Sequence, residues 1–126
     1  MFRIIVVFFL TLLTGSSSIA EYSSELPSDK QARLDTLLKL GLENKYIKIE
    51  KAREQLTEAL QLSRSLKKPA EEAEALKILG LSSYYQDSLV PASAYFDQAL
   101  MISRGIGDSI QVANILFNKG KIYKDT

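Results

Sequence analysis

The sequence predicts an all-α protein of about five helices that pack as consecutive antiparallel hairpins. Apolar residues recur at three- and four-residue steps from residue 34 onward, which is the periodicity of one face of a helix. Only three prolines occur in 126 residues, at positions 27, 69 and 91. The chain from position 52 onward also matches itself when it is shifted so that Ala52 falls on Ala92. These three observations together favour a helical repeat.

Five helices are expected, and each has boundary signals. The expected ranges are about 30–44, 47–66, 70–86, 91–104 and 109–124. Pro69 precedes an acidic stretch, and both proline and acidic side chains suit the first turn of a helix. Pro91 is expected to open the fourth helix in the same way. The glycine-containing stretch 105–108 ends that helix, and Asp108 or Ser109 is expected to cap the fifth.

The first twenty residues have the three-part layout of a secretory signal. A short, weakly basic start is followed by an apolar run from Ile4 to Leu13 and by small residues, so cleavage is expected after Ala20. A membrane-spanning helix needs about 20 apolar residues, and this run has roughly half that number. An uncleaved signal anchor is the alternative. Residues 21–29 are polar and are expected to be a linker.

Composition argues against several classes of site. The formal net charge is +1, from 16 basic and 15 acidic residues that are well mixed, so no nucleic-acid partner is expected. The chain has no His and no Cys, which removes the commonest general base, the commonest metal ligand and the strongest nucleophile. The acidic cluster at 71–74 is interpreted as the first turn of a helix. We therefore expect no catalytic residue, no cofactor and no metal.

The shift that places Ala52 on Ala92 aligns small and apolar positions, while the mismatched positions are mostly polar. The other matched pairs include Leu60 with Leu100, Ser63 with Ser103, Ala73 with Ala113, and Gly80 with Gly120. The step from Gly41 to Gly80 is one position shorter than the step from Gly80 to Gly120, so the first turn is expected to carry a one-residue insertion or deletion. The predicted repeat domain covers residues 30–126, with units at about 30–66, 70–106 and 109–126, and the third unit is incomplete. Gly80 is expected to face Ala92 across its hairpin, which would let the two helices approach closely.

The matched positions carry a family resemblance. Leu-x-x-Leu-Gly at 76–80, followed by Ala92, Phe96 and Ala-Leu at 99–100, resembles the tetratricopeptide repeat. The 40-residue period is longer than the usual length of about 34 residues, and Asn-x-Gly-x-Ile-Tyr at 118–123 is similar to the long-period variant. The resemblance implies a right-handed α-solenoid of stacked helix-turn-helix units. With a signal segment, it is similar to the start of bacterial sensor histidine kinases and related regulators, which implies the periplasmic or extracytoplasmic side of the inner membrane.

The resemblance also implies a groove, lined by the first helix of each unit, that binds a protein or an extended peptide. The implied groove residues are Glu74, Lys77, Leu81, Tyr84, Tyr85, Asn114, Asn118, Lys121 and Lys124. Asn118 matches a family asparagine that pairs with a peptide backbone, since an amide both donates and accepts hydrogen bonds. An interhelical hydrogen bond is the alternative role. Lys77 matches a carboxylate-clamp lysine, but Leu81 replaces the clamp's asparagine, so capture of a terminal carboxylate is not expected.

Three functions stay open. The first is a non-catalytic binding module that forms the sensory part of a larger signalling protein, and the second is a self-associating scaffold without a peptide ligand. The third is an accessory region of an enzyme with catalytic residues beyond Thr126. Membrane contact is expected only through the signal segment or a helix further along the chain. The last helix is expected to leave Ile115, Ile122 and Tyr123 partly exposed, so further chain, a partner or a second copy in a homo-oligomer would cover that end.

Overall fold

The computed structural model describes residues 26–125, nearly all of which lie in five α-helices. In chain order they are α1 (Pro27–Asn44), α2 (Ile49–Ser65), α3 (Pro69–Tyr85), α4 (Leu89–Gly105) and α5 (Ser109–Asp125). The predicted signal segment and its cleavage site lie outside the described residues. Among residues 26–125, no helix is both long enough and apolar enough to cross a membrane.

The helix ends agree with the predicted boundaries to within a few residues. Pro69 is the first residue of α3, and Asp108 caps α5 by accepting a hydrogen bond from the backbone N–H of Gln111 at 3.0 Å. Two of the differences concern helices that begin near a proline. α1 begins at Pro27, inside the predicted linker, and Pro91 is the third residue of α4 instead of its first. Both prolines still lie in a first turn, where the missing N–H has no helical partner to lose.

Three connections between helices share one geometry and follow each other at an even spacing. The helices α2 to α5 each have 17 residues, and three residues join each to the next. The middle residue of each connection is left-handed: Lys67 at φ 56°, Asp87 at φ 62° and Gly107 at φ 72°. This motif ends a helix by satisfying its last carbonyls. Each helix with its turn is therefore one half of the period that the sequence shows.

The hydrogen bonds of these turns also repeat. In each, the backbone N–H of the third turn residue donates to a serine carbonyl five positions earlier. The bonds are Lys68 to Ser63 at 2.8 Å, Ser88 to Ser83 at 2.9 Å, and Asp108 to Ser103 at 2.9 Å. The first connection, residues 45–48, is one residue longer and has no left-handed residue. The irregularity that the sequence predicts in the first turn lies between Gly41 and α2, because α1 ends three residues after Gly41 whereas α3 ends five residues after Gly80.

Consecutive helices pack against each other in antiparallel pairs, and α3 also contacts α5. From Gln31 onward the described residues form one compact unit. This arrangement confirms the predicted all-α class and its sequential, solenoid-like stacking. Each helix is held by its neighbours in the chain, as in other helical repeats.

The core consists of three clusters that each join more than one helix. The first contains Leu76, Ala92, Phe96, Ala99, Leu100, Ile115 and Ile122. The second contains Leu34, Ala59, Leu62 and Ala75, and the third contains Ala52, Leu56, Ile78 and Leu79. The first cluster draws on α3, α4 and α5, so the first helix of one unit completes the core of the unit before it.

Glycine allows a large side chain to lie against the helix backbone in both hairpins. A Cβ on Gly80 would lie 2.6 Å from Cε1 of Phe96, and a Cβ on Gly41 would lie 2.5 Å from Cδ2 of Leu56. The side chain nearest to Gly80 is thus the ring of Phe96, one turn along α4 from Ala92, the residue that the sequence predicts to face the glycine. The glycine at these positions makes room for a large side chain.

The last helix also differs from expectation. Ile115 and Ile122, which the sequence predicts to be partly exposed, are 0% and 6% exposed. They are buried because α5 turns this side toward the cluster of α3 and α4. Tyr123 is exposed as predicted, and the large apolar side chains that α5 exposes on its outer surface include Phe117.

Candidate functional site

Three tyrosines from the α1–α2 connection and from the end of α3 lie together. We call Tyr46, Tyr84 and Tyr85 the tyrosine cluster. The ring centroids of Tyr46 and Tyr85 are 4.3 Å apart and those of Tyr84 and Tyr85 are 5.3 Å apart, both in edge-to-face geometry. The hydroxyl of Ser82 donates a hydrogen bond of 3.0 Å to the carbonyl of Lys45, which ties α3 to the residue that follows α1. This bond holds the backbone next to Tyr46 beside α3, where the three rings meet.

The electrostatics of the tyrosine cluster keep the phenol of Tyr85 neutral. The hydrogen bond with Tyr46 is the main cause that raises the pKa of Tyr85 above 10.0, and burial adds to it. The charges of Lys121 and Lys45 lower that pKa and only partly offset the rise. The ammonium group of Lys45 also lies 4.1 Å from the ring centroid of Tyr46. Tyr85 therefore presents a protonated hydroxyl, and the cluster lies beside two cations, Lys45 and Lys121.

Two of the predicted groove residues, Lys77 and Glu74, form a polar bridge between α3 and α5. The ammonium group of Lys77 is 3.0 Å from a carboxylate oxygen of Glu74 and donates to the side-chain carbonyl of Gln111 at 3.0 Å. The amide nitrogen of Gln111 donates to Glu74 at 2.9 Å. Only 14% of the Lys77 side chain is exposed. The structure thus places Lys77 between two helices, where its donors are already engaged.

Leu81 and Tyr84, also predicted for the groove, are partly buried and pack against the first core cluster. Their main contacts are therefore inside the fold. Tyr85, the next residue, is 47% exposed. Of the predicted α3 positions, Tyr85 is the one most accessible to a ligand.

The predicted positions on α5 lie along one side of that helix. Asn114, Asn118 and Lys121 follow each other at steps of four and three residues, which places them on a common face. Asn114 and Lys124 are exposed, while Asn118 and Lys121 are half-buried. Within residues 26–125, neither asparagine side chain takes part in a hydrogen bond. Both amides are therefore available to an external ligand.

Lys121 connects the two parts of the site. Its charge acts on Tyr85, and its ammonium group lies 5.2 Å from the ring centroid of Phe117. The structure thus brings Tyr85 and Lys121 near each other, although they belong to different units. Lys77 is not available beside them, because Glu74 and Gln111 already bind its ammonium group.

Sequence reasoning missed Tyr46 and Lys45, which complete the tyrosine cluster. The sequence contains an indication of Tyr46 in the irregular register of the first unit. The shift that places Gly41 on Gly80 also places Tyr46 on Tyr85. The shift of the later units, which is one position longer, places Tyr46 on Gln86 instead and hides the match.

The chemistry available to this site comes from phenols, primary amides and ammonium groups. Within the described residues, no group of three or more potential metal-ligating side chains is arranged to hold a metal ion. Phenols and amides bind through hydrogen bonds and apolar contact, and lysines add attraction for acidic groups. No family model, curated protein or solved structure matches this sequence.

Proposed function

We propose that this chain is an exported, non-catalytic module of the tetratricopeptide kind, that it binds a protein or an extended peptide, and that it serves as the sensory or interaction part of a larger signalling protein. The observation that carries the proposal is the exposed Tyr85 of the tyrosine cluster, on which the charge of Lys121 acts from α5, the helix that also carries the unengaged amides of Asn114 and Asn118. Aromatic rings on rigid helices give contact area at a low cost in side-chain entropy.

In this proposal the ligand's backbone pairs with Asn118 and its side chains contact Tyr85 and Tyr46. An amide can donate to a backbone carbonyl and accept from a backbone N–H, so it fits an extended segment without demanding a particular sequence. Lys45 and Lys121 favour ligands with acidic side chains nearby. Lys77 has no part in binding because Glu74 and Gln111 hold it.

Export and a role in signalling are proposed on the basis of the sequence. The signal-like segment 1–20 supports placement on the extracytoplasmic side, and the Leu-x-x-Leu-Gly, Ala, Phe and Ala-Leu positions of the second unit support the tetratricopeptide kind. In this arrangement the repeats lie outside the cytoplasm and any contact with the membrane is made by the signal segment or by a helix further along the chain.

A self-associating scaffold with no peptide ligand is the second candidate. The exposed apolar side chains of α5, including Phe117 at 70% exposure, favour it because such side chains in one patch mark contact surfaces. Sedimentation velocity over a range of protein concentrations separates the two. A scaffold forms larger species as concentration rises, whereas a binding module stays a single species until peptide is added.

The binding proposal is tested by selecting peptides from a random library on the purified protein and measuring their affinities by fluorescence anisotropy. Tyr85→Ala and Asn118→Ala should each weaken binding by about tenfold, the effect of losing roughly 1.4 kcal/mol at a contact residue. Val90→Ala and Gln61→Ala are matched controls, since both side chains are exposed on other helices. Wild-type affinity for every selected peptide in both test variants would refute the proposed site.

A further inference from the structure

One side of α5 carries an open apolar depression of about 430 Å³. It is lined by Leu116, Phe117, Gly120, Lys121 and Lys124, and we call these residues the α5 stripe. Leu116 is 44% exposed, and a Cβ built on Gly120 meets no atom within 4 Å. Among residues 26–125, nothing fills the space above this glycine.

The equivalent surface of the preceding unit is covered by a helix. Leu76 and Gly80 occupy the positions in α3 that Leu116 and Gly120 occupy in α5. Leu76 is buried in the core with α4, and the ring of Phe96 lies over Gly80. In the first unit, α2 covers Gly41 with Leu56 in the same way. Twice in this chain, therefore, a glycine at this position receives a large apolar side chain from an antiparallel helix.

We infer that the α5 stripe is a docking site for an acidic amphipathic α-helix of another protein. The incoming helix places a large apolar side chain over Gly120 and acidic side chains beside Lys121 and Lys124. The apolar side chain is inferred from Gly41 and Gly80, the counterparts of Gly120 in the earlier units, because a large apolar side chain covers each of them. The acidic part follows from charge complementarity, since both charged residues that line the depression are basic.

Two other occupants fit less well. A second copy that docked through the same stripe would bring basic residues and no acidic ones to the contact, because the charged residues of the stripe are Lys121 and Lys124. Residues 1–20 of this chain are apolar but contain no acidic residue, so they offer nothing to either lysine. The inference goes beyond the proposed peptide site, which uses Tyr85 and Asn118 instead of the glycine, although both sites include Lys121.

The probe is a fluorescent synthetic peptide with the sequence of α4, Leu89–Gly105, because α4 makes the equivalent contact on Gly80. A second peptide carries Leu89→Glu. In the α3–α4 hairpin Gly80 lies against Phe96. Because the two helices are antiparallel, this contact sets residue 84 near residue 92. Residue 92 in turn is about one helical turn from residue 89. The position equivalent to residue 84 is Lys124, and the added glutamate can therefore pair with it.

We expect both peptides to bind the full chain, the Leu89→Glu peptide about threefold more tightly at low salt. That gain should shrink in high salt because the added ion pair is exposed. A peptide with Phe96→Ala is the matched control and should bind at least about tenfold more weakly. Failure of both Phe-containing peptides to bind, or equal binding of the control, would overturn the inference.

Gly120→Ala in the protein gives the sharper test. The added methyl group meets nothing in the chain itself, so the fold should keep or raise its melting temperature, but it occupies the space that the incoming side chain needs. We expect it to reduce binding of the α4 peptide by at least about tenfold. Val90→Ala is the control and should leave this binding unchanged, because Val90 is exposed on α4. Binding of the library-selected peptides, measured separately, distinguishes a failure here from a failure of the peptide site.

Two results with the protein variants would contradict the docking site. Unchanged affinity of Gly120→Ala for the α4 peptide would show that no side chain lies over the glycine. A wild-type dimer that Gly120→Ala dissociates in sedimentation velocity would show that a second copy, and not a separate acidic helix, occupies the stripe.

Discussion

Lys67, Asp87 and Gly107 have different side chains but the same left-handed backbone, at φ 56°, 62° and 72°. For an ordinary L-residue this conformation costs about 1–2 kcal/mol, whereas glycine adopts it without a steric penalty. Aspartate is tolerated better than lysine because its short polar side chain can bond locally. The turn at Lys67 is therefore the one whose residue suits its geometry least.

Replacing Lys67 by glycine should stabilise the protein. The lysine side chain is exposed, so its removal loses no packing, and the relief of backbone strain exceeds the entropy that glycine adds to the unfolded chain. We expect the free energy of unfolding in urea to rise by about 0.5–1 kcal/mol. The reverse change, Gly107→Ala, should lower it by about 1 kcal/mol at the equivalent turn. Equal stability of all three proteins would contradict this account.

Between elements, a charged pair holds α5 to α4. The ammonium group of Lys119 lies 2.5 Å from a carboxylate oxygen of Asp97, and only 18% of the lysine side chain is exposed. The hydrogen bond from Lys119 to Asp97 raises the pKa of Lys119 above 10.5, although burial acts in the opposite direction. The folded state thus holds this proton more tightly than the unfolded chain does.

The sign of the pH dependence follows from that raised pKa. The pair stabilises the fold below the unfolded-state pKa of about 10.4, and this stabilisation is lost as pH rises through the higher folded-state pKa. Asp97→Asn should therefore be less stable than wild type at neutral pH, and the difference should shrink above about pH 10.4. Urea unfolding at a series of pH values measures both effects.

Glu54→Gln is the matched control for Asp97→Asn, because Glu54 is an exposed carboxylate on α2. Tyr123 also raises the pKa of Lys119, so all three proteins are compared in a Tyr123→Phe background as well, where that contribution is removed. A difference between wild type and Asp97→Asn that stayed constant across this pH range would contradict a role for the Lys119 proton.

Across the whole molecule, burial is concentrated in α3. Eight of its residues are buried, and it contacts α2, α4 and α5. The residues that α5 buries in the core cluster are Ile115 and Ile122, and its outer side is open. In a stack where each helix is held by its neighbours, the helix with the most neighbours opens last.

Amide hydrogen exchange should therefore be slowest in α3 and clearly faster in α5. The protection of α3 should approach the free energy of global unfolding, while α5 should exchange through local opening at lower free energy. Mass spectrometry of peptic fragments resolves the two helices. Addition of a helix that docks on the α5 stripe should slow exchange in α5 and leave α3 unchanged. Equal protection of both helices without ligand would indicate one cooperative unit.

Much of the fold could be predicted from local signals. Pro69 at a helix start and Asp108 as a cap act through their own backbone neighbours, so sequence alone identifies both. The candidate site was less accessible to this reasoning. Lys77 is among the predicted groove residues, yet its partner Gln111 lies on another helix, and only the packing of α3 on α5 brings them together.

The sequence by itself determined the helices, the positions of their turns and the period of the repeat, because caps, proline and glycine act over a few residues. Tertiary structure alone decided which side of each helix is covered. It placed the Phe96 ring over Gly80, buried Ile115 and Ile122, and left Gly120 open. The same residue type at equivalent positions is thus a packing contact in one unit and an exposed surface in another, since burial depends on which helix lies opposite.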